Sequence, residues 1–142
     1  MKLIFIHGSG GCKESWQYQT QYFSGSEAID LPGHPHDEPC SSIEDYVEWL
    51  HEYVITKGYN DMVMSGHSLG GGIALQYGLQ YPENVTGLIC VGSGARLRVA
   101  PMFLEGLEKA IAAKESTQAF TDTALSLVDP ELAKIIGRRM EE

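Results

Sequence analysis

The stretch that decides the fold is SGHSLGGG, Ser65 to Gly72. It follows the apolar run DMVM (Asp61–Met64) and precedes a helical pattern, IALQYGLQYPE (Ile73–Glu83). A serine therefore sits between two glycines where a strand turns into a helix. Gly66-His67-Ser68-Leu69-Gly70 fits G-x-S-x-G, whose serine occupies a strained strand-to-helix turn. The positions two residues either side must be small, because backbone and helix crowd there. Gly66 and Gly70 meet that need, and Gly71 permits close packing of helix on sheet. Such a turn lifts the Ser68 hydroxyl above the carboxyl edge of the sheet. The helix N-terminus behind it favours developing negative charge. The backbone amide of Leu69 is placed to face an oxyanion.

Outward from this turn the chain alternates strands and helices. KLIFI (Lys2–Ile6) is a short continuous apolar run stopped by His7-Gly8, as buried parallel strands are. A Gly-rich loop then runs into an amphipathic stretch, GSGGCKESWQYQTQYF (Gly8–Phe23). In FIHGSGG the amide of Ser9 would supply a second oxyanion donor at the end of an earlier strand. EAIDLPGHPHDEP (Glu27–Pro39) reads as a short strand ending at Asp30, then a Pro/Gly/His loop. Ser41-Ser42-Ile43-Glu44-Asp45 opens a helix with capping serines and acidic residues in the first turn. Ile43, Tyr46, Val47, Leu50 and Val54 recur at helical spacing until Gly58. VTGLICVGSG (Val85–Gly94) is another buried-type strand. The order β-α-β-α-β-α-β predicts a parallel sheet with right-handed crossovers and helices on both faces.

After Gly94 the texture is helical without strands. Helices are expected over Met102–Ala113 and Thr117–Val128, and a third starts with Asp129 as cap and Pro130 at its first position. Met102, Phe103, Leu104, Leu107 and Phe120 read mostly as core of this tail, some of them lining an acyl pocket.

The bulk numbers narrow the function classes. With 142 residues and 43% hydrophobic content, the chain suits one globular domain with a real core. The net charge of -9 argues against partners such as nucleic acid or an anionic membrane and for a soluble protein. No apolar run is long enough to span a bilayer. The N-terminal MKLIFIHG is too short for the apolar core of a signal peptide, and no cleavage site follows. Cys12, Cys40 and Cys90 form no C-x-x-C or metal spacing and read as reduced thiols in a cytoplasmic protein. HGSGG lacks the Lys-Ser/Thr ending of a P-loop and the spacing of a dinucleotide site. His34, His36 and Asp37 in GHPHDE lie close together, but no further ligand cluster accompanies them and no metal is assigned.

The sequence resembles the α/β-hydrolase superfamily of serine hydrolases. The matching pieces are IHGSGG, IDLPGHP, GHSLGG and YPENVTGLICVGSG, with the helical segment after them. The resemblance implies, in that order, the oxyanion loop, the loop after the next strand, the nucleophile elbow at Ser68, the following helix and strand, and the start of a helical cap. It covers residues 1 to about 100 closely and the cap loosely. It implies residues 1–94 as the N-terminal part of the core and 95–142 as a cap or lid segment.

A serine hydroxyl needs a base in hydrogen-bond reach, and that base needs an orienting acid. The family order is Ser, then Asp or Glu, then His. The resemblance therefore puts both partners beyond Glu142, with the remaining core strands. Inside the chain, His67 adjoins Ser68 but faces elsewhere in a sharp turn, and His7 packs under the oxyanion loop. His34 and His36 would need a rearranged loop. His51 reads as a helix-surface residue, and Asp122 and Asp129 read as helix caps. The sheet points the same way. Val85–Gly94 would be a bare apolar edge, which longer sheets cover and which otherwise invites self-association. The expected activity is hydrolysis of a small ester, thioester or related acyl substrate through a Ser68 acyl-enzyme, with no cofactor. The alternatives are a catalytically inactive binding module, or a non-hydrolytic member such as a menaquinone-pathway-type lyase.

Overall fold

The structure, a computed structural model, describes residues 1–96, 99–113, 123 and 125–141. Four parallel strands form one sheet in the order β2-β1-β3-β4. They are β1 (Lys2–Ile6), β2 (Glu27–Ile29), β3 (Met62–His67) and β4 (Val85–Val91). A 3-10 turn at Lys13–Trp16 leads into α1 (Gln17–Tyr22); α2 (Ile43–Lys57) and α3 (Leu69–Gln80) are the longer crossovers. Two further helices follow, α4 (Pro101–Ala113) and α5 (Pro130–Glu141). The predicted alternation of strands and helices and the parallel sheet are both present. Strand β4 ends at Val91, three residues earlier than the sequence pattern implies, and Gly92 turns the chain at φ 56°.

Strands β1 and β3 are central, so side chains on both their faces find cover. Ile4 and Ile6 of β1 and Met62 and Met64 of β3 are fully buried against Tyr46, Val47, Leu50 and Val54 of α2 and Ile73, Ala74 and Tyr77 of α3. Burying each such apolar side chain stabilises the fold by about 1.5–3 kcal/mol. On the opposite face Phe5 stacks on Trp16 with ring centroids 4.8 Å apart. A continuous apolar run, rather than an alternating one, is the sequence trace of this two-sided burial.

Capping follows the predicted chemistry. The Asp45 amide donates to Ser42 Oγ at 3.1 Å, and Gly58 ends α2 at φ 69°. Asp129 Oδ1 accepts from the amides of Glu131 and Leu132, each at 3.1 Å, at the start of α5.

At the other edge the sheet is thinly covered. Leu88, Ile89 and Val91 of β4 are 37%, 48% and 43% exposed, although the strand carries no charge. Gly87 and Ile89 pair with Val63 and Ser65 of β3 and so share the Phe5 face. On that face the 3-10 turn meets β1 through Trp16, and short α1 packs against β2.

The structure corrects two expectations. Met102 is 81% and Leu104 47% exposed, so these two of the residues read as core are left in solvent, while Leu107 is half-buried. Helical spacing specifies an apolar face but not what meets it; among the described residues it is α5 that docks, placing Leu132 and Ile136 against Cys12. Phe120 and Asp122, and the side chain of Phe103, lie outside the described residues, as does most of the helix expected over 117–128, where Thr123 and Leu125 are helical. His51 is half-buried rather than a surface residue. It stacks on Tyr81 at 3.6 Å, and its Nδ1 meets the Tyr77 hydroxyl at 3.1 Å.

Candidate active site

Ser68 stands between the last residue of β3 and the first of α3 with φ 50° and ψ −114°. A non-glycine residue at positive φ costs about 1–3 kcal/mol and persists only where the surroundings impose it. Here they do. The Ser68 amide donates to Val91 O at 3.0 Å, and the Ser68 carbonyl accepts from Gly71 at 3.0 Å and Gly72 at 3.2 Å. The turn is thus pinned to β4 on one side and to the first turn of α3 on the other.

The flanking glycines are required by contact. A Cβ on Gly66 would strike the backbone of Gly70 and Gly71, and one on Gly70 would strike the carbonyls of Ile6 and His7. The first turn of α3 therefore lies directly on the end of β1. A Cβ on Gly71 would fall 2.5 Å from Ser93 Cβ. A Cβ on Gly8 would fall 2.9 Å from His67 Nδ1 and 3.1 Å from Ser68 Cβ, so the Gly8–Gly11 loop lies against the serine. Gly11 N–H closes that loop on Gly8 O at 3.0 Å, with Gly10 at φ 69°.

The candidate serine and both candidate amide donors, Ser9 and Leu69, thus belong to two turns packed on each other at the carboxyl end of the sheet. Ser9 is exposed, and Ser68 and Leu69 are half-buried. Beside them opens a cavity of about 320 Å³. The Gly8–Gly11 loop, Trp16, His67 and Val91 wall it from the sheet side, and Leu125, Val128, Leu132 and Ile136 wall it from the C-terminal side. Ser68 adjoins the wall residue His67 and is not itself part of the wall.

His7, His34 and His51 direct their ring nitrogens to partners other than the Ser68 hydroxyl. His7 is fully buried. Its Nε2 accepts from the Leu31 amide at 3.1 Å, so the ring proton is on Nδ1, which donates to Gly8 O at 2.8 Å. Burial holds its pKa below the ordinary histidine value, more than the Gly8 hydrogen bond raises it. His34 Nδ1 lies 3.1 Å from Pro32 O, its ring 5.4 Å from that of His7.

Some of the local framework leaves no trace in sequence. Arg139 Nη2 reaches Asp30 Oδ2 at 2.7 Å and its Nε reaches Glu14 Oε2 at 3.3 Å, fastening α5 over the cavity. Asp30 also accepts the Lys13 amide at 2.7 Å. The apolar i, i+4 pair Leu132 and Ile136 marks a helix face in sequence, but its destination is a matter of tertiary structure.

A strained serine on a strand-to-helix turn, at the carboxyl end of the two central strands of a parallel sheet, defines a class. Residues 2–135 match the model of the alpha/beta hydrolase fold family. The chain belongs to that family. It is 29% identical over 144 aligned positions to a pimeloyl-[acyl-carrier protein] methyl ester esterase of Shewanella woodyi, covering 99% of this chain and 50% of that one. It is 30% identical over 89 positions to an (E)-2-((N-methylformamido)methylene)succinate hydrolase of Acinetobacter baylyi, covering 58% of this chain and 34% of the other. Among solved structures, a thermophilic esterase superposes with a TM-score of 0.77 at 33% identity, covering 98% of this chain and 54% of that one. The chain thus spans about half the length of the two esterases it matches end to end, and about a third of the succinate hydrolase. Among the described residues no helix is long and apolar enough to cross a membrane.

Proposed function

We propose that this chain carries the nucleophile and oxyanion half of a serine hydrolase acting on a small ester, thioester or related acyl substrate. The observation that supports this most is the backbone of Ser68, held at φ 50° on a turn packed against the Gly8–Gly11 loop. In this reading Ser68 Oγ attacks the carbonyl carbon and gives its proton to the base, which returns it to the leaving group. The amides of Ser9 and Leu69 receive the negative charge on its oxygen, and collapse of the tetrahedral species expels the alcohol or thiol and leaves an acyl-serine that water cleaves. The apolar cavity beneath α5 receives the acyl chain, and residues 95–142 serve as a cap.

The base and its orienting acid are assigned to sequence beyond residue 142, because the family order places them after Ser68, and because His7, His34 and His51 are engaged with other partners. That engagement favours one other reading, a binding module that keeps the pocket without turnover. The two part on fluorophosphonate labelling read by intact mass, with Ser68→Ala as control. Labelling at Ser68 in a chain carried on through the following gene segment, absent from the 142-residue chain, supports the hydrolase. A stop codon directly after codon 142, with no labelling of the folded chain, supports the binding module. Labelling of the 142-residue chain itself would move the base to His34, His36 or a second chain.

A further inference from the structure

We infer that the His7 side chain is a positioning residue for the oxyanion site: it sets the peptide plane that presents the Ser9 N–H. The inference rests on the reading of Ser9 as an oxyanion donor. The carbonyl of Gly8 and the N–H of Ser9 belong to one planar trans peptide unit, so fixing one direction fixes the other. The Gly8 oxygen is held twice, by His7 Nδ1–H at 2.8 Å and by Gly11 N–H at 3.0 Å. The Ser9 N–H therefore points away from the buried ring, on the exposed side of the loop.

The ring is itself held. Leu31 N–H donates to His7 Nε2 at 3.1 Å, which commits the proton to Nδ1, the only tautomer that can hold Gly8 O. Leu31 is 1% exposed and follows β2, so the loop after β2 fixes the tautomer that fixes the oxyanion loop. A histidine that only filled space would need neither bond.

The test combines heteronuclear NMR with a tetrahedral probe, phenylboronic acid. In the wild-type chain, long-range nitrogen spectra should show His7 protonated at Nδ1. The Ser9 amide resonance should move in His7→Ala and return in His7→Asn, whose side-chain N–H can take the Nδ1–H place. Should His7→Ala fail to fold, the wild-type coupling across the hydrogen bond from His7 Nδ1 to the Gly8 carbonyl carbon decides instead. When phenylboronic acid binds, Ser68 Oγ adds to the trigonal boron, the serine proton passes to solvent, and a tetrahedral anion remains, read by boron NMR. Binding should weaken roughly tenfold in His7→Ala and recover in His7→Asn. An Nε2–H tautomer, or a Ser9 amide indifferent to His7→Ala in a folded protein, overturns the inference. Boronate addition that persists in Ser68→Ala overturns the nucleophile reading; addition absent from the wild-type 142-residue chain accords with a base supplied from beyond it, and in either case the Ser9 amide result judges His7.

Discussion

Arg139 and Asp30, 109 residues apart in sequence, meet at 2.7 Å where α5 crosses the end of β2. The side chains are 19% and 24% exposed, so the pair is shielded more than a surface ion pair yet keeps some water. Arg139→Gln should therefore cost about 1–2 kcal/mol, between surface and buried expectations. Urea unfolding of Arg139→Gln, Asp30→Asn and the double variant should show non-additivity of about 1 kcal/mol. Simple additivity would show that the ion pair does not hold α5.

The glycines around Ser68 are not equivalent to glycines elsewhere. Gly70→Ala puts a Cβ into the carbonyls of Ile6 and His7, which belong to rigid backbone. We expect a loss of about 3 kcal/mol or more, or failure to fold. Gly58 has open space around it and only its φ of 69° to satisfy, so Gly58→Ala should cost about 1 kcal/mol. Thermal melts of the two variants side by side check the ranking.

Ser68 holds a conformation that glycine adopts without strain. Ser68→Gly should raise stability by about 1 kcal/mol, the relief of strain less the added chain entropy of glycine. Ser68→Ala keeps the strain and should be near neutral. A Ser68→Gly variant no more stable than Ser68→Ala would mean the turn is relaxed in solution.

Acid should weaken the fold in two steps. His7, facing His34, Asp30 and Glu14, has its pKa lowered chiefly by burial. The unfolded chain therefore takes up its proton first, and stability falls as pH drops below about 6.5 toward the lower folded value. The Asp129 carboxyl is held below its ordinary range by the Leu132 amide and then by the Tyr18 hydroxyl. Its contribution is present in full above the unfolded value of about 3.9 and is lost as pH falls through the lower folded value. Denaturant midpoints against pH should lose the first step in His7→Asn and the second in Asp129→Asn.

The apolar edge offers a test of association. Ile89 and Val91 are exposed on an uncharged edge strand, which predicts concentration-dependent self-association of the 142-residue chain. Ile89→Lys should shift sedimentation toward monomer with little change in melting temperature. A wild-type chain that is monomeric at high concentration would refute this.

What could be read from the sequence alone is local or periodic. Continuous apolar runs predict β1, β3 and β4; the 3.6-residue spacing from Ile43 to Val54 predicts α2; Ser42, Gly58 and Asp129 announce their caps. Gly66-His67-Ser68-Leu69-Gly70 marks the turn, because the crowding that demands glycine there arises within a few residues of chain. Tertiary structure alone decided which distant groups meet. The bonds from His7 to Gly8 and Leu31, the grip of Arg139 on Asp30 and Glu14, the stacking of His51 on Tyr81, and the choice of α5 rather than α4 to roof the cavity have no period and no motif. They follow from how helices settle on a twisted sheet. That settling is a sum of many weak contacts, and a linear pattern names the faces involved without saying which face finds which.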